Sequence, residues 1–267
     1  SILFMSQVPV GTTRALKKTI EERRGSDFPF RLHYWVDVLV VGDAVSRFLK
    51  PGRIIVGHER EPWDLAPEVE SLFSAFGCPI FPMNYESAEL TKSAINIYLA
   101  TSVTYANAMS DLCEAVGADY GQMIPALRLD PRIGPACYVQ PGLGLSGGHL
   151  ERDLVALSRL TAKHALPSGL LALILHESES RYRWLKEKVE SLVFAKNATP
   201  RIAIWGLSYK KNTDSTHNAP SLKVIADFGK RAALTAYDPA VTLPPGMPVM
   251  AAKDRYAALA GADALLI

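Results

Sequence analysis

At 267 residues, with 48% apolar and 21% charged side chains, the chain has the make-up of a globular protein with one large core or a few small ones. Its net charge of +2 comes from interspersed signs, which leaves no basic stripe for nucleic acid, and no apolar run reaches the roughly 18–20 residues that span a bilayer. Cys78, Cys113 and Cys137 have no CxxC spacing and the six histidines no HxH or HExxH pair, so neither a disulfide framework nor a metal centre is expected. The expected compartment is a reducing cytoplasm, with no secretory leader.

Ile2–Met5 is already a buried-strand pattern and 262–267 reads as a strand entered and not left, so the sequence reads as cut at both ends. Over residues 1–83, strands are expected at Ile2–Met5, Val36–Val41, Arg53–Val56 and Pro79–Met83. Helices are expected at Thr12–Arg24 and Ala66–Phe76, and the alternation predicts a parallel α/β sheet. Residues 84–195 are mostly helical. A long helix over Glu86–Val116 carries Leu90, Ala94, Ile97 and Thr101 at the 3–4 spacing of one buried face, and two more helices span Leu150–Lys163 and Leu170–Phe194. Pro131, Pro135, Pro141 and their neighbouring glycines mark an irregular loop between helices. From 196 onward the pattern returns to α/β: a strand at Arg201–Trp205, a helix near Ser221–Arg231, a strand at Leu234–Tyr237 and a helix at Ala251–Ala260.

Four segments carry residues suited to chemistry. In AELTKSAIN (88–96), Lys92 and Asn96 share a helical face and could donate to one oxyanion; a solvated polar face is the simpler reading of the spacing. In LDPRIGP (129–135), two prolines stiffen the chain around Arg132, whose fork suits phosphate or sugar hydroxyls, against an ordinary turn with an exposed arginine. PGLGLSGGHLERDL (141–154) has Gly142, Gly144, Gly147 and Gly148 ahead of a helix entry, where backbone can approach a ligand closely and His149 could serve as a base. The alternative is a flexible loop with an acidic first turn. In GLSYKKNTDSTHNAPS (206–221), Lys210 and Lys211 could meet a pyrophosphate near a helix start, against a solvated basic turn.

Taken in order with SQVPVGTTR (6–14), KPGRIIVG (50–57) and AYDP (236–239), these segments resemble the signature blocks of the UDP-glucose/GDP-mannose dehydrogenases, which oxidise a sugar alcohol to a uronic acid with two NAD. The resemblance implies an α/β protein in three parts. Residues 1–83 would be the tail of an N-terminal Rossmann domain whose dinucleotide fingerprint lies upstream. Residues 84–195 would be a central all-helical dimerisation region with one long helix, and 196–267 the start of a C-terminal Rossmann-like domain for the nucleotide of the sugar donor. It implies NAD as cofactor, a UDP- or GDP-linked sugar as substrate, a homodimer through the long helix and a place in polysaccharide biosynthesis. Lys92, Asn96, His149, Asp153 and Asp37 would take the catalytic positions. Arg132, Gly144, Gly147, Gly148 and Lys210 would bind substrate, and Gln7 and Arg152 cofactor.

The pattern also departs from the family. His149 stands where GGSCFPKD has its cysteine, and Arg152 replaces the lysine. WVDVLVVG (35–42) replaces NPEFLREG, so the first glutamate is Asp37 and the second Val41. Gln7 replaces the threonine of STVP and His217 the arginine of DDMREAPS. Without a thiolate, the second oxidation lacks its covalent adduct. The resemblance thus leaves two functions open: a two-electron oxidation of a nucleotide sugar, or a degenerate paralogue that binds a nucleotide sugar or an active partner.

Overall fold

A computed structural model describes residues 1–25, 27–36, 39–59 and 65–267. It divides into two compact units, Ser1–Asn96 and Ile97–Ile267. The first holds β1 (Ile2–Met5), α1 (Thr12–Arg24), β2 (Leu32–Trp35), α2 (Ala44–Leu49), β3 (Ile54–His58), α3 (Pro67–Ser74), β4 (Ile80–Asn84) and the first turns of α4 (Tyr85–Val116). Its sheet has the order β1-β2-β3-β4. The expectation of an all-parallel sheet fails at one ladder: β1–β2 and β3–β4 are parallel, but β2 and β3 run antiparallel. Alternating side chains fill both faces. Trp35, Ile54 and Val56 pack with Val69 and Phe73 of α3, while Tyr34 and Ile55 pack with Tyr85 and Ala88 of α4.

The strand expected at Val36–Val41 includes Asp37 and Val38, which lie outside the described residues; the strand described in this region is Leu32–Trp35, paired with β1 from Ile2↔Leu32 to Met5↔Trp35. The buried face of α4 is also corrected. Leu90 and Ala94 are exposed, and Tyr85, Ala88, Glu89 and Asn96 face inward. Helix register is set here by what the sheet and α1 offer, including a polar partner for Glu89, and not by apolar spacing alone.

The second unit contains the rest of α4, α5 (Tyr120–Leu129), α6 (His149–Lys163), α7 (Gly169–Val189) ending in a π-turn at Glu190–Phe194, β5 (Arg201–Trp205), α8 (Pro220–Phe228), β6 (Ala233–Tyr237), β7 (Met250–Ala251), α9 (Arg255–Ala258) and β8 (Ala264–Leu266). The helix expected over Ala251–Ala260 is shortened to one turn, because Met250–Ala251 pairs with β6 and Asp254 caps the turn, accepting the N–H groups of Tyr256 and Ala257. The sheet order β7-β6-β5-β8 is all parallel. Leu185 and Val189 at the end of α7 pack on Ile202, Ile204, Val224 and Phe228, so α7 and the sheet share one core. Among the described residues no helix is long and apolar enough to cross a membrane, and no cluster of three or more His, Cys, Asp or Glu could hold a metal.

His33 on β2 gives the first unit an acid sensitivity. It is buried, stacks edge-to-face on His58 at 5.2 Å, and neither ring nitrogen has a hydrogen-bond partner among the described residues. Burial, then the neighbouring His58 and Arg31, hold its pKa down at about 4. At pH 7 both folded and unfolded histidine are neutral. Between the unfolded value of about 6.5 and about 4 only the unfolded chain takes the proton, so stability falls as pH falls, by on the order of 2–3 kcal/mol in all. Urea melts from pH 7 to pH 4 are expected to show this loss for the native chain and a flatter profile for His33→Leu. Parallel profiles would contradict it.

Candidate functional site

In the second unit β5 is flanked by β6 and β8. The chain leaves β5 toward β6 through α8 and returns to the other side of β5 through α9. Parallel sheets bind ligands at such a reversal, beyond the carboxyl ends of the strands. The segment 206–219 emerges there. Gly206 turns with φ +91, and Asp238 at the end of β6 fixes the next two residues by accepting the N–H groups of Leu207 (2.7 Å) and Ser208 (3.2 Å). Burial opposes the ionisation of Asp238, but those two donors with Ala240 and Val241 hold its carboxyl below the ordinary range. Lys210 lies in this turn, its ammonium 5.5 Å from the centre of the Tyr209 ring.

The glycine loop packs against that segment. A Cβ on Gly147 would stand 2.8 Å from the Tyr209 ring, and one on Gly148 2.4 Å from His217 Nε2, so both positions take the closest backbone approach. The Ser146 hydroxyl donates to the Tyr209 carbonyl (3.2 Å), and the Asn218 amide donates to Glu151 (3.2 Å). Gly144 has φ +83, and a Cβ there would lie 2.6 Å from the Ser178 carbonyl oxygen. The loop delivers the chain to the first turn of α6, where His149 is exposed beside Gly147, Arg152 is exposed and Asp153 is buried. Arg152 Nε lies 3.6 Å from Asp153 Oδ1. A groove of about 370 Å³ along this turn is lined by Gly148, Glu151, Arg152, Val155, Ala156, Arg159 and His217; two guanidiniums and an imidazole suit it to an anion. A larger depression of about 730 Å³ along α7, lined by Tyr182, Lys186 and Glu190 among others, touches none of these residues.

The structure therefore brings Gly144, Gly147, Gly148, His149, Arg152, Asp153 and Lys210 into one region of the second unit. The Arg132 side chain is 87% exposed and forms a two-point ion pair with Asp130 (3.0 and 2.7 Å), which raises its pKa further. Gln7, Lys92 and Asn96 belong to the first unit. Asn96 is buried, against the simple reading of a solvated face, and Lys92 is half-buried one turn before it. Asp37 lies outside the described residues. Sequence reasoning missed Ser178, which bounds the loop from α7, and the role of Asn218. Asn212 and Asn218 both take left-handed backbone (φ 61 and 51), a conformation asparagine tolerates, and that is the signal by which the turn geometry could have been found.

Comparison with known proteins agrees with this layout. Residues 86–178 match the central domain of the UDP-glucose/GDP-mannose dehydrogenase family, and 203–267 its UDP binding domain. The whole chain aligns at 28% identity with 58% of the UDP-glucose 6-dehydrogenase TuaD of Bacillus subtilis, and at 30% with 62% of the UDP-glucose 6-dehydrogenase of Rhizobium meliloti. A UDP-glucose dehydrogenase structure from Pyrobaculum islandicum superposes with a TM-score of 0.86 at 26% identity, over 98% of this chain and 62% of that one. The chain thus spans about 60% of the length of the relatives it matches. Two consecutive domain matches, over a fold that superposes on a solved UDP-glucose dehydrogenase, lead to one conclusion: the chain belongs to the UDP-glucose/GDP-mannose dehydrogenase family.

Proposed function

We propose that this chain is part of an NAD-dependent dehydrogenase that oxidises a UDP- or GDP-linked sugar by two electrons, with His149 in place of the family's catalytic cysteine. The observation that carries the reading is the seat of His149 on the first turn of α6, at the end of a glycine loop packed against the nucleotide-side turn 206–219. On this reading His149 takes the proton from the sugar hydroxyl. Lys92, Asn96, Asp153 and Asp37 are assigned to the family's catalytic positions by the resemblance alone. Arg152 and Gln7 are assigned to the cofactor by the resemblance alone. NAD, when bound, accepts the hydride from the carbinol carbon. Gly144, Gly147, Gly148 and Lys210 would receive the nucleotide sugar.

The reading includes a homodimer. α4 exposes Tyr98, Tyr105 and Leu112 at seven-residue intervals on the second unit, a stripe suited to a second copy. Light scattering giving a monomer at high micromolar concentration would remove it. Arg132, projecting into solvent, would complete the partner's site. In the full-length protein, Arg132→Ala is expected to weaken UDP- or GDP-sugar binding, and Arg132→Lys to be impaired as well, since an ammonium cannot make a planar two-point contact. Calorimetric titration decides this: unchanged affinity makes Arg132 a turn residue only. No binding of any nucleotide sugar by the unsubstituted protein removes the proposed function. The second reading, a binding protein without turnover, rests on the same imidazole, which cannot supply the covalent step of the family reaction.

A further inference from the structure

The glycine loop has glycines at four of its positions, yet it is held by some of the most deeply buried polar groups of the second unit. Gly142 is gripped on both sides of its own residue. Its N–H donates to Asn107 Oδ1 on α4 (2.8 Å), and its carbonyl accepts from Arg181 Nε on α7 (3.0 Å). Three residues on, the Leu145 N–H donates to Ser178 Oγ (2.7 Å), one turn before Arg181 on the same helix. Asn107 is 6% and Arg181 7% exposed. Arg181 is also pinned elsewhere: it pairs with Asp111 one turn after Asn107, and its guanidinium lies 4.0 Å from the centre of the Trp184 ring. A buried arginine is costly unless its donors are satisfied, and here one of them is committed to a loop carbonyl.

We propose that Asn107, Ser178 and Arg181 are positioning residues for the glycine loop: together they fix the peptides of Gly142 and Leu145, and so set where Gly144–His149 meets the ligand. The proposal rests on the functional reading above for the ligand, but not for the clamp itself. Holding a residue by both its N–H and its carbonyl pins the peptide on either side of it and removes the freedom to rotate that glycine would otherwise have. Without the clamp, ordering the loop on the ligand would draw on binding free energy. The clamp spans 33 to 39 residues of sequence between partners, which is why no local pattern announces it.

The test uses the full-length protein and three variants. Ser178→Ala and Arg181→Gln are conservative; the glutamine amide can still reach toward Gly142. Arg181→Met keeps the volume and loses every donor. Amide hydrogen exchange is read at 142–149 and at Ile202–Ile204 of β5, beside UDP-glucose and GDP-mannose affinity. The expected result is loop exchange at least tenfold faster in Ser178→Ala and Arg181→Met with the β5 amides unchanged, nucleotide-sugar affinity at least tenfold weaker, and partial rescue by Arg181→Gln. Loop exchange equal to that of the unsubstituted protein overturns the proposal. So does faster loop exchange with unchanged affinity, since the clamp would then position nothing. If the unsubstituted protein binds no nucleotide sugar, the functional reading fails, and the exchange rates alone still decide whether the clamp exists. Should Arg181→Met fail to fold, Ser178→Ala carries the test by itself.

Discussion

Glu89→Ala is expected to destabilise the first unit by about 3–5 kcal/mol, the largest effect of any single truncation considered. Glu89 is 1% exposed, and its carboxylate accepts the N–H of Gly11 (2.5 Å), the N–H of Thr13 (2.7 Å) and the hydroxyl of Thr13 (2.7 Å). α1 has no cap of its own: Gly11 precedes it with φ +93 and offers no side chain. A carboxylate from α4 therefore satisfies the orphan donors of α1 and meets the positive end of its dipole. Alanine would leave those donors buried without an acceptor, in a cavity. Glu89→Gln keeps one acceptor oxygen but turns an amide N–H₂ toward the other donors, so an intermediate loss is expected. Hydrogen exchange at Ile54–His58 measures the first unit directly. Unchanged protection in Glu89→Ala would show that α1 is held by other contacts.

Gly144→Ala is expected to cost about 2–4 kcal/mol and to abolish nucleotide-sugar binding. Two penalties add. A side chain at φ +83 is strained wherever it sits, and here its Cβ would come within 2.6 Å of the backbone oxygen of Ser178, which cannot rotate away. Gly142→Ala makes the contrast: it has no positive φ, and a Cβ there would meet nothing within 4 Å. Thermal melts of both variants, run beside ligand titration, separate the cases. Equal stability of the two would mean that the loop gives way at Gly144 and is softer than its packing implies.

Range decides which features are legible in the sequence. Thr12–Arg24 and Arg201–Trp205 form where the local pattern puts them, because period and breakers agree at both ends. Leu32–Trp35, which pairs along the whole of β1, is not picked out by composition, because β propensity reports fitness for a strand and not which residues find a partner. Leu90 and Ala94 mislead because the face of α4 is chosen by Glu89, whose partners lie 76 and 78 positions away. The glycine loop and the turn 206–219 are visible as segments. Their mutual packing, through Gly147 on Tyr209 and Gly148 beside His217, joins positions about sixty to seventy apart and is not. Asn96 looks like one of a solvated pair and is buried, since the sequence records that it is polar but not which way the helix is turned.

The most direct measurement is the number of NADH formed per sugar by the full-length protein across UDP- and GDP-linked sugars. Transfer of one hydride from an alcohol needs a base and oxyanion donors, and on the proposed reading the base is His149. A second transfer, from the aldehyde, needs a thiolate adduct or a hydrate, and position 149 has no thiol. The account predicts at most one NADH per sugar, with aldehyde or ketone as product, and a trapped thioester in His149→Cys. Two NADH per uronic acid, with Cys137→Ser equally active, would contradict it.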